Sequence, residues 1–140
     1  METKNSQNLR VKYNRVSTVR QSGDRFGLDT EKYDITLFDK ISGSVPFAER
    51  PKAKELINMV EGGMLSELHV EEFSRLGRNT GDVINTLELL EEKQVNVIVM
   101  NIGLQSRPNN QKNPLWKMIS SVMSSLYEME LENIRERTMA

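Results

Sequence analysis

The sequence predicts an α/β domain with a mainly parallel sheet of four to five strands, flanked by helices and followed by a long C-terminal helix. Short apolar segments that suit strands alternate with segments that carry apolar residues at helical spacing. This alternation is typical of parallel sheets whose strands are joined by helices. The final segment carries helical spacing over a much greater length than the others. We therefore expect an α/β core at residues 1–112 and a long helix of the same domain at 113–140.

Length and composition indicate one globular domain. The chain has 140 residues, of which 37% are hydrophobic and 28% charged, enough to build a hydrophobic core. It has no cysteine, which excludes disulfides, zinc–thiolate sites and cysteine nucleophiles, and its single histidine is His69. The formal net charge of −1 means that any contact with DNA must come from a local cluster of arginines. A polar N-terminus and the lack of an 18-residue apolar run predict no signal peptide, no membrane partner and a cytoplasmic location.

The first strand is predicted from alternation, because Leu9, Val11 and Tyr13 are separated by polar residues. Ser17 follows just past the carboxyl end of this strand, and Arg15 precedes it by two residues. Ligands bind at that edge in open α/β sheets, so Ser17 is a candidate nucleophile and Arg15 a candidate anion-binding group. Local composition alone favours a different interpretation, in which the hydroxyl only caps a turn or helix.

Residues 22–32 give little support for a full helix, because they hold two glycines and few apolar residues. The apolar run Ile35–Phe38 predicts a second strand, which ends at Asp39. A loop is expected at 42–46, where Ser, Gly and Pro cluster.

Two further helices and two further strands are expected along the rest of the core. Pro51 suits the first turn of a helix that Gly62 and Gly63 end. Asn79 or Thr80 can cap a helix that reaches Lys93. Apolar residues at 65, 68, 70 and 73, with acids between them, predict a strand at 65–73. An almost wholly apolar run predicts a strand at 95–100, and the polar residues 101–112 predict a loop.

The last helix is expected from Asn113, which caps it, through Thr138, about 39 Å at 1.5 Å per residue. One apolar stripe on it runs in steps of four and three: Leu115, Ile119, Val122, Leu126 and Met129. Further apolar residues widen this surface, and a helix that is apolar over more than one face must bury both. We therefore expect it to pack on its own domain and against a partner helix. The alternative is a helix that merely covers one face of the core.

Three arginines suit the binding of a phosphate. Arg75 and Arg78 are three residues apart, so on a helical turn both could face one phosphate, and Gly77 between them permits close approach of the backbone. Arg15 shares a strand face with Ser17. When a serine attacks a phosphodiester, the charge that develops on the phosphate oxygens must be neutralised. Guanidinium groups suit this role because they are planar, permanently charged and bidentate.

Two runs together resemble the catalytic domain of the resolvase/invertase family of serine site-specific recombinases. The first is Tyr-x-Arg-Val-Ser-Thr-x-x-Gln at 13–21, and the second is Ser-Arg-Leu-Gly-Arg-Asn at 74–79. The resemblance extends from about residue 11 to residue 140. It implies that Ser17 is the nucleophile, which gives a 5′-phosphoserine linkage to DNA. It also implies that Arg15, Arg75 and Arg78 bind the scissile phosphate.

The resemblance implies further roles. Gln21, Asp39 and Arg50 match active-site positions, and Arg137, in a Glu-Arg-Thr signature, is expected near the DNA or the active site. The family needs neither a metal nor ATP, so no cofactor is expected. Its members form dimers that synapse into tetramers on DNA through the long helix. We therefore expect this chain to be part of a nucleoid-associated protein that a bacterium, phage or mobile element encodes.

Some features depart from the family pattern. Position 74 is Ser where relatives often have an acid, which leaves open the group that assists proton transfer. The first helix is expected to be reduced, and the family's C-terminal DNA-binding domain is expected to lie outside this chain. A serine hydrolase is disfavoured because no Gly-x-Ser-x-Gly motif occurs and His69 is the only candidate base. An inactive regulatory or dimerisation fragment of a recombinase remains an alternative.

Overall fold

The computed structural model describes residues 8–17 and 32–139. Among these residues one five-stranded sheet forms, with the strand order β2-β1-β3-β4-β5. Its strands are β1 (Leu9–Val16), β2 (Ile35–Lys40), β3 (Leu65–Val70), β4 (Asn96–Val99) and β5 (Leu104–Gln105). The first four are parallel to one another, and β5 runs antiparallel to β4. The predicted α/β class with a mainly parallel sheet is confirmed.

The helices begin where the sequence predicts them. They are α1 (Pro51–Glu61), α2 (Thr80–Glu92) and α3 (Pro114–Met139). Proline occupies the first turn of α1, where its missing N–H costs no hydrogen bond. Asn79 caps α2, because its side-chain oxygen accepts a 2.9 Å hydrogen bond from the backbone N–H of Asp82.

Two boundaries differ from the prediction. The strand expected at 65–73 ends at Val70, and residues Phe73–Leu76 form a 3-10 turn instead. The carboxylates of the two acidic residues after Val70 bind Arg75 of this turn. The loop expected at 101–112 contains β5, which is held beside β4 partly by the Ser106 hydroxyl, 2.8 Å from the backbone N–H of Val97. The region of the reduced first helix lies largely outside the described residues.

The hydrophobic core lies between the sheet and the helices. Val11 and Tyr13 of β1 and Leu68 and Val70 of β3 are fully buried in one cluster with apolar side chains of α1 and α2. The start of α3 joins this cluster through Trp116, whose ring lies 5.5 Å from that of Phe73. No helix in the described ranges is long and apolar enough to cross a membrane.

The topology brings three chain segments to one edge of the sheet. The parallel strands β1, β2 and β3 all end there, and Arg15 lies opposite Asp39 in the register of β1 and β2. The turn that carries Arg75 follows β3 directly. Ligands bind at this edge in open parallel sheets.

Candidate active site

Ser17 lies exposed just past the end of β1, and Arg15 contacts it. Nη1 of Arg15 donates to the Ser17 hydroxyl oxygen at 3.3 Å and to the backbone oxygen of Ile41 at 2.8 Å. The guanidinium packs on Gly43, where a Cβ would lie 3.3 Å from its Cζ. Arg15 is therefore fixed beside the hydroxyl by backbone groups of the loop after β2.

The charge of Arg15 is poorly compensated. Its Nε is buried with no hydrogen-bond partner among the described residues. Burial, and then the positive charges of Arg75 and Arg50, lower the pKa of Arg15 from its ordinary value. A bound anion would stabilise this guanidinium, because a nearby opposite charge favours its charged form. The site is therefore suited to a phosphate.

Asn14 joins the two sequence motifs. Its side-chain oxygen accepts hydrogen bonds from Nε of Arg75 at 3.0 Å and from the backbone N–H of Arg15 at 2.8 Å. Asn14 is buried at the end of β1. One amide oxygen therefore places two candidate phosphate-binding arginines, which are sixty residues apart in the sequence, side by side.

Arg75 is also held by two carboxylates. Its Nη2 donates to Oε1 of Glu71 at 3.1 Å, and its Nη1 lies 3.2 Å from Oε2 of Glu72. The hydroxyl of Ser74 donates to the same Glu72 oxygen at 3.0 Å. Ser74 thus lies next to a carboxylate, which Glu72 supplies from two residues before the second motif.

Arg78 lies beyond the turn and is exposed. The expectation that it shares a helical turn with Arg75 is wrong, because the 3-10 turn ends at Leu76 and Gly77 is extended. A Cβ at position 77 would lie 2.5 Å from the backbone nitrogen of Val83, so only glycine allows this close approach to α2. Asp82 accepts a 2.8 Å hydrogen bond from the backbone N–H of Arg78 and fixes its main chain.

Asp39 and Arg50 are buried beneath this surface. Asp39 accepts hydrogen bonds from the Tyr13 hydroxyl at 2.9 Å and from the backbone N–H groups of Lys52 and Ala53 at 3.0 and 3.1 Å. It therefore caps the N-terminus of α1. Because Tyr13 is buried, the pKa of its hydroxyl is raised from its ordinary value, and it stays a neutral donor.

Arg50 is 0% exposed. It donates to the backbone oxygens of Arg75 at 2.9 Å, Val45 at 3.0 Å and Gly43 at 3.3 Å. These bonds tie the loop after β2 to the turn after β3. In this arrangement Arg50 and Asp39 hold the segments that carry the site, and their polar atoms are engaged by the protein itself.

The remaining predicted residues lie elsewhere. Gln21 is outside the described residues, and Arg137 lies on the exposed distal part of α3. Four of the five predicted interface residues are exposed by 49 to 61%: Leu115, Val122, Leu126 and Met129. The fifth, Ile119, packs partly against the core of its own domain. Within the described ranges, no group of three or more potential ligands from His, Asp and Glu could hold a metal ion.

Sequence reasoning missed four polar side chains of the site: Tyr13, Asn14, Glu71 and Glu72. A signal existed for Asn14, because a polar residue near the end of an otherwise half-buried strand requires a hydrogen-bond partner. The two glutamates precede Arg75 by four and three residues, a spacing at which opposite charges often pair.

Comparison with known proteins identifies relatives over nearly the whole chain. The family model for the resolvase N-terminal domain matches residues 10–140. The DNA-invertase of Escherichia phage P1 is 31% identical over 132 residues, which cover 93% of this chain and 66% of that protein. The resolvase of transposon Tn2501 from Escherichia coli is 30% identical, with 90% of this chain and 65% of that protein covered. The chain thus spans slightly less than two thirds of the length of these relatives.

Solved structures agree with the fold. A resolvase family site-specific recombinase from Streptococcus pneumoniae superposes with a TM-score of 0.66 at 26% identity, covering 94% of both chains. The N-terminal catalytic domain of TP901-1 integrase gives a TM-score of 0.68 at 21% identity, covering 88% of this chain and 96% of that one. At that identity the second match supports the fold alone. The chain belongs to the resolvase/invertase family of serine recombinases, as its two motifs indicate, and matches the N-terminal domain of that family.

Proposed function

We propose that this chain is the catalytic part of a site-specific DNA recombinase, with Ser17 as the nucleophile. The Ser17 oxygen attacks a DNA phosphorus and forms a P–O bond, while the bond from phosphorus to the 3′ oxygen breaks. The products are a 5′-phosphoserine linkage and a free 3′-hydroxyl. Attack by a 3′-hydroxyl on this linkage reverses the step and rejoins DNA. The linkage retains the bond energy, so the proposal requires neither ATP nor a metal.

The contact between Arg15 and the Ser17 hydroxyl carries this proposal. It places a permanently charged donor 3.3 Å from the attacking oxygen. Asn14 holds Arg75 next to it, and the main chain of Arg78 is fixed nearby. Donors placed in advance around the charge that develops in a transition state contribute about 3 to 4 kcal/mol each. Three arginines at one sheet edge therefore suit the stabilisation of a phosphoryl transfer.

The proposal includes assembly into dimers and, on DNA, tetramers. A soluble monomer rarely exposes a large continuous apolar surface. Met118, Val122 and Met129 of α3 are 65, 55 and 61% exposed. A second copy of the same helix would cover this face. Arg137, farther along α3, and Arg78 are the proposed additional contacts with the DNA backbone. The proposed location is the cytoplasm of a bacterium, where a phage or mobile element can also encode such a protein.

A trapped covalent intermediate tests the chemistry. Residues 1–140 are fused to a DNA-binding domain of known specificity and incubated with DNA that carries paired sites, with and without a chelator. We expect a covalent protein–DNA band at the cleaved 5′ ends, which Ser17→Ala abolishes and the chelator leaves unchanged. Ser74→Ala is the control for the loss of an exposed serine hydroxyl, and we expect it to retain the covalent band, because Ser74 contacts Glu72.

The other outcomes separate the alternatives. A band that survives Ser17→Ala would show that another residue is the nucleophile. The absence of a band from every protein would favour an inactive regulatory or dimerisation fragment.

A further inference from the structure

The two carboxylates that hold Arg75 differ in their exposure. The side chain of Glu71 is 23% exposed and that of Glu72 is 35% exposed. They bind different guanidinium nitrogens, since Glu71 accepts from Nη2 and Glu72 lies against Nη1. The third nitrogen of the group, Nε, donates to the buried Asn14. Glu72 is therefore the most solvent-accessible of the three partners of Arg75.

Glu72 also acts on Arg15, though less than the groups that lower the pKa of that residue. Its charge raises the pKa of Arg15, opposing the lowering that Arg75 and Arg50 cause. The carboxylate is thus close enough to compensate two of the proposed phosphate-binding arginines. The Ser74 hydroxyl, 3.0 Å from Oε2, orients it toward Arg75. The Glu72 carboxylate thus compensates the same arginine charges that a bound phosphate would compensate.

We propose that Glu72 is an exchangeable counter-ion whose carboxylate occupies the place on Nη1 of Arg75 that a phosphodiester oxygen takes. Asn14 and Glu71 keep the guanidinium in place while the exchange occurs. Glu72 is then a positioning residue, which acts on the phosphate through Arg75. The inference rests on the proposed function only for the identity of the anion as a DNA phosphodiester.

The geometry of a guanidinium allows such an exchange. Its five N–H donors form a planar fork that binds carboxylate and phosphate in the same manner. In the described contacts of Arg75, Nε and Nη2 each donate one hydrogen bond, and Nη1 lies 3.2 Å from the Glu72 carboxylate. Replacement of one carboxylate by a phosphate oxygen leaves the other two contacts intact. The exchange therefore needs a movement of Glu72 and none of the backbone.

Glu72→Gln removes the charge and keeps the shape and an acceptor for Ser74. Because a partly exposed ion pair is weak, we expect phosphate to bind this variant about two- to fivefold more tightly. A side chain that only supported the fold would give the opposite result when replaced, because a disordered Arg75 binds phosphate less tightly. An increase in affinity is therefore specific to the counter-ion role.

The test titrates inorganic phosphate into residues 1–140 and follows the NMR resonance of the Arg75 Nε–H group. Glu71→Gln is the matched control, since it removes the same charge from the same guanidinium at the less exposed position. We expect Glu71→Gln to increase the affinity for phosphate by less than half as much as Glu72→Gln does. We also expect it to shift the Arg75 resonance before phosphate is added. Glu72→Asp, which keeps the charge, is expected to return the affinity toward that of the wild type.

An unchanged or weaker affinity in Glu72→Gln, or an equal gain in Glu71→Gln, would overturn the inference. Phosphate binding does not depend on DNA cleavage, so the titration and the covalent-intermediate assay fail separately. A positive titration with no covalent band would contradict the recombinase chemistry and leave the counter-ion role in place.

Discussion

Asn14 illustrates how much of the site depends on a single buried side chain. Its oxygen accepts hydrogen bonds from Nε of Arg75 and from the backbone N–H of Arg15, so it ties the Arg75 guanidinium to the end of β1. This bond holds the Arg75 guanidinium near Arg15, although like charges at close range repel and the charge of Arg75 lowers the pKa of Arg15. A second buried polar contact lies below the surface, where the Tyr13 hydroxyl donates to Oδ2 of Asp39 at 2.9 Å.

Replacement of Asn14 by alanine should therefore reduce both the stability of the fold and the activity. The loss of a buried acceptor leaves donors unsatisfied and destabilises the fold by about 1 to 3 kcal/mol. Arg75 also loses its anchor, so formation of the covalent intermediate should fall at least about tenfold, the effect of about 1.4 kcal/mol of lost transition-state stabilisation. The checks are urea unfolding and the rate of covalent-band formation. Asn14→Asp keeps an acceptor, and a larger loss of activity in Asn14→Asp than in Asn14→Ala would contradict this explanation.

Tyr13 predicts a dependence of stability on alkaline pH. Burial raises the pKa of its hydroxyl in the folded chain above the ordinary value of 10.0. Above about pH 10 the unfolded chain loses this proton and the folded chain keeps it. The free energy of unfolding should therefore fall by about 1.4 kcal/mol per pH unit relative to Tyr13→Phe, which has no such proton. Urea unfolding of both proteins from pH 9 to 11.5 measures the difference, and parallel curves would show that Tyr13 ionises equally in both states.

The contact of α3 with the start of α2 links the long helix to the segment that carries Arg78. Tyr127 of α3 packs on Gly81, and the Thr80 hydroxyl donates to Oε2 of Glu130 at 3.1 Å. Arg78 lies two residues before this contact. A displacement of α3 on its own domain would therefore disturb the main chain next to the proposed phosphate-binding residues.

Gly81→Ala tests this contact. A Cβ at position 81 would lie 2.7 Å from the Tyr127 ring, so the substitution should destabilise the chain by about 1 to 3 kcal/mol. Without that clash the same change should stabilise a helix, because alanine is favoured over glycine by about 1 kcal/mol. We therefore expect Gly81→Ala to be destabilising in the wild type and neutral or stabilising in a Tyr127→Ala background. Thermal unfolding of the four proteins in this double-mutant cycle gives the answer. Equal effects in both backgrounds would show that the ring does not limit position 81.

For the molecule as a whole, the sequence predicts the elements better than the contacts between them. Apolar periodicity and caps predict β1, β2, β4 and the three helices, because these signals are local. The two-residue strand β5 was missed because it depends on pairing with β4 and on one serine hydroxyl. The contact of Asn14 with Arg75 joins residues sixty positions apart, which no local pattern contains. The predicted end of β3 was too late because two charged residues were counted as part of the strand.

The exposed face of α3 predicts the association state of the whole chain. Leu126 is 49% exposed on this face, between Val122 and Met129, while Trp116 of the same helix is buried in the core. If the face is the contact between two copies, a buried charge there costs far more than the contact gains. Leu126→Glu should then be a monomer at concentrations where the wild type is a dimer, and its thermal stability as a monomer should be little changed.

The matched control is Ile102→Glu, a similarly exposed apolar residue outside α3, which should leave the mass unchanged. Light scattering of the three proteins decides the question, and a dimer mass for Leu126→Glu would place the interface elsewhere.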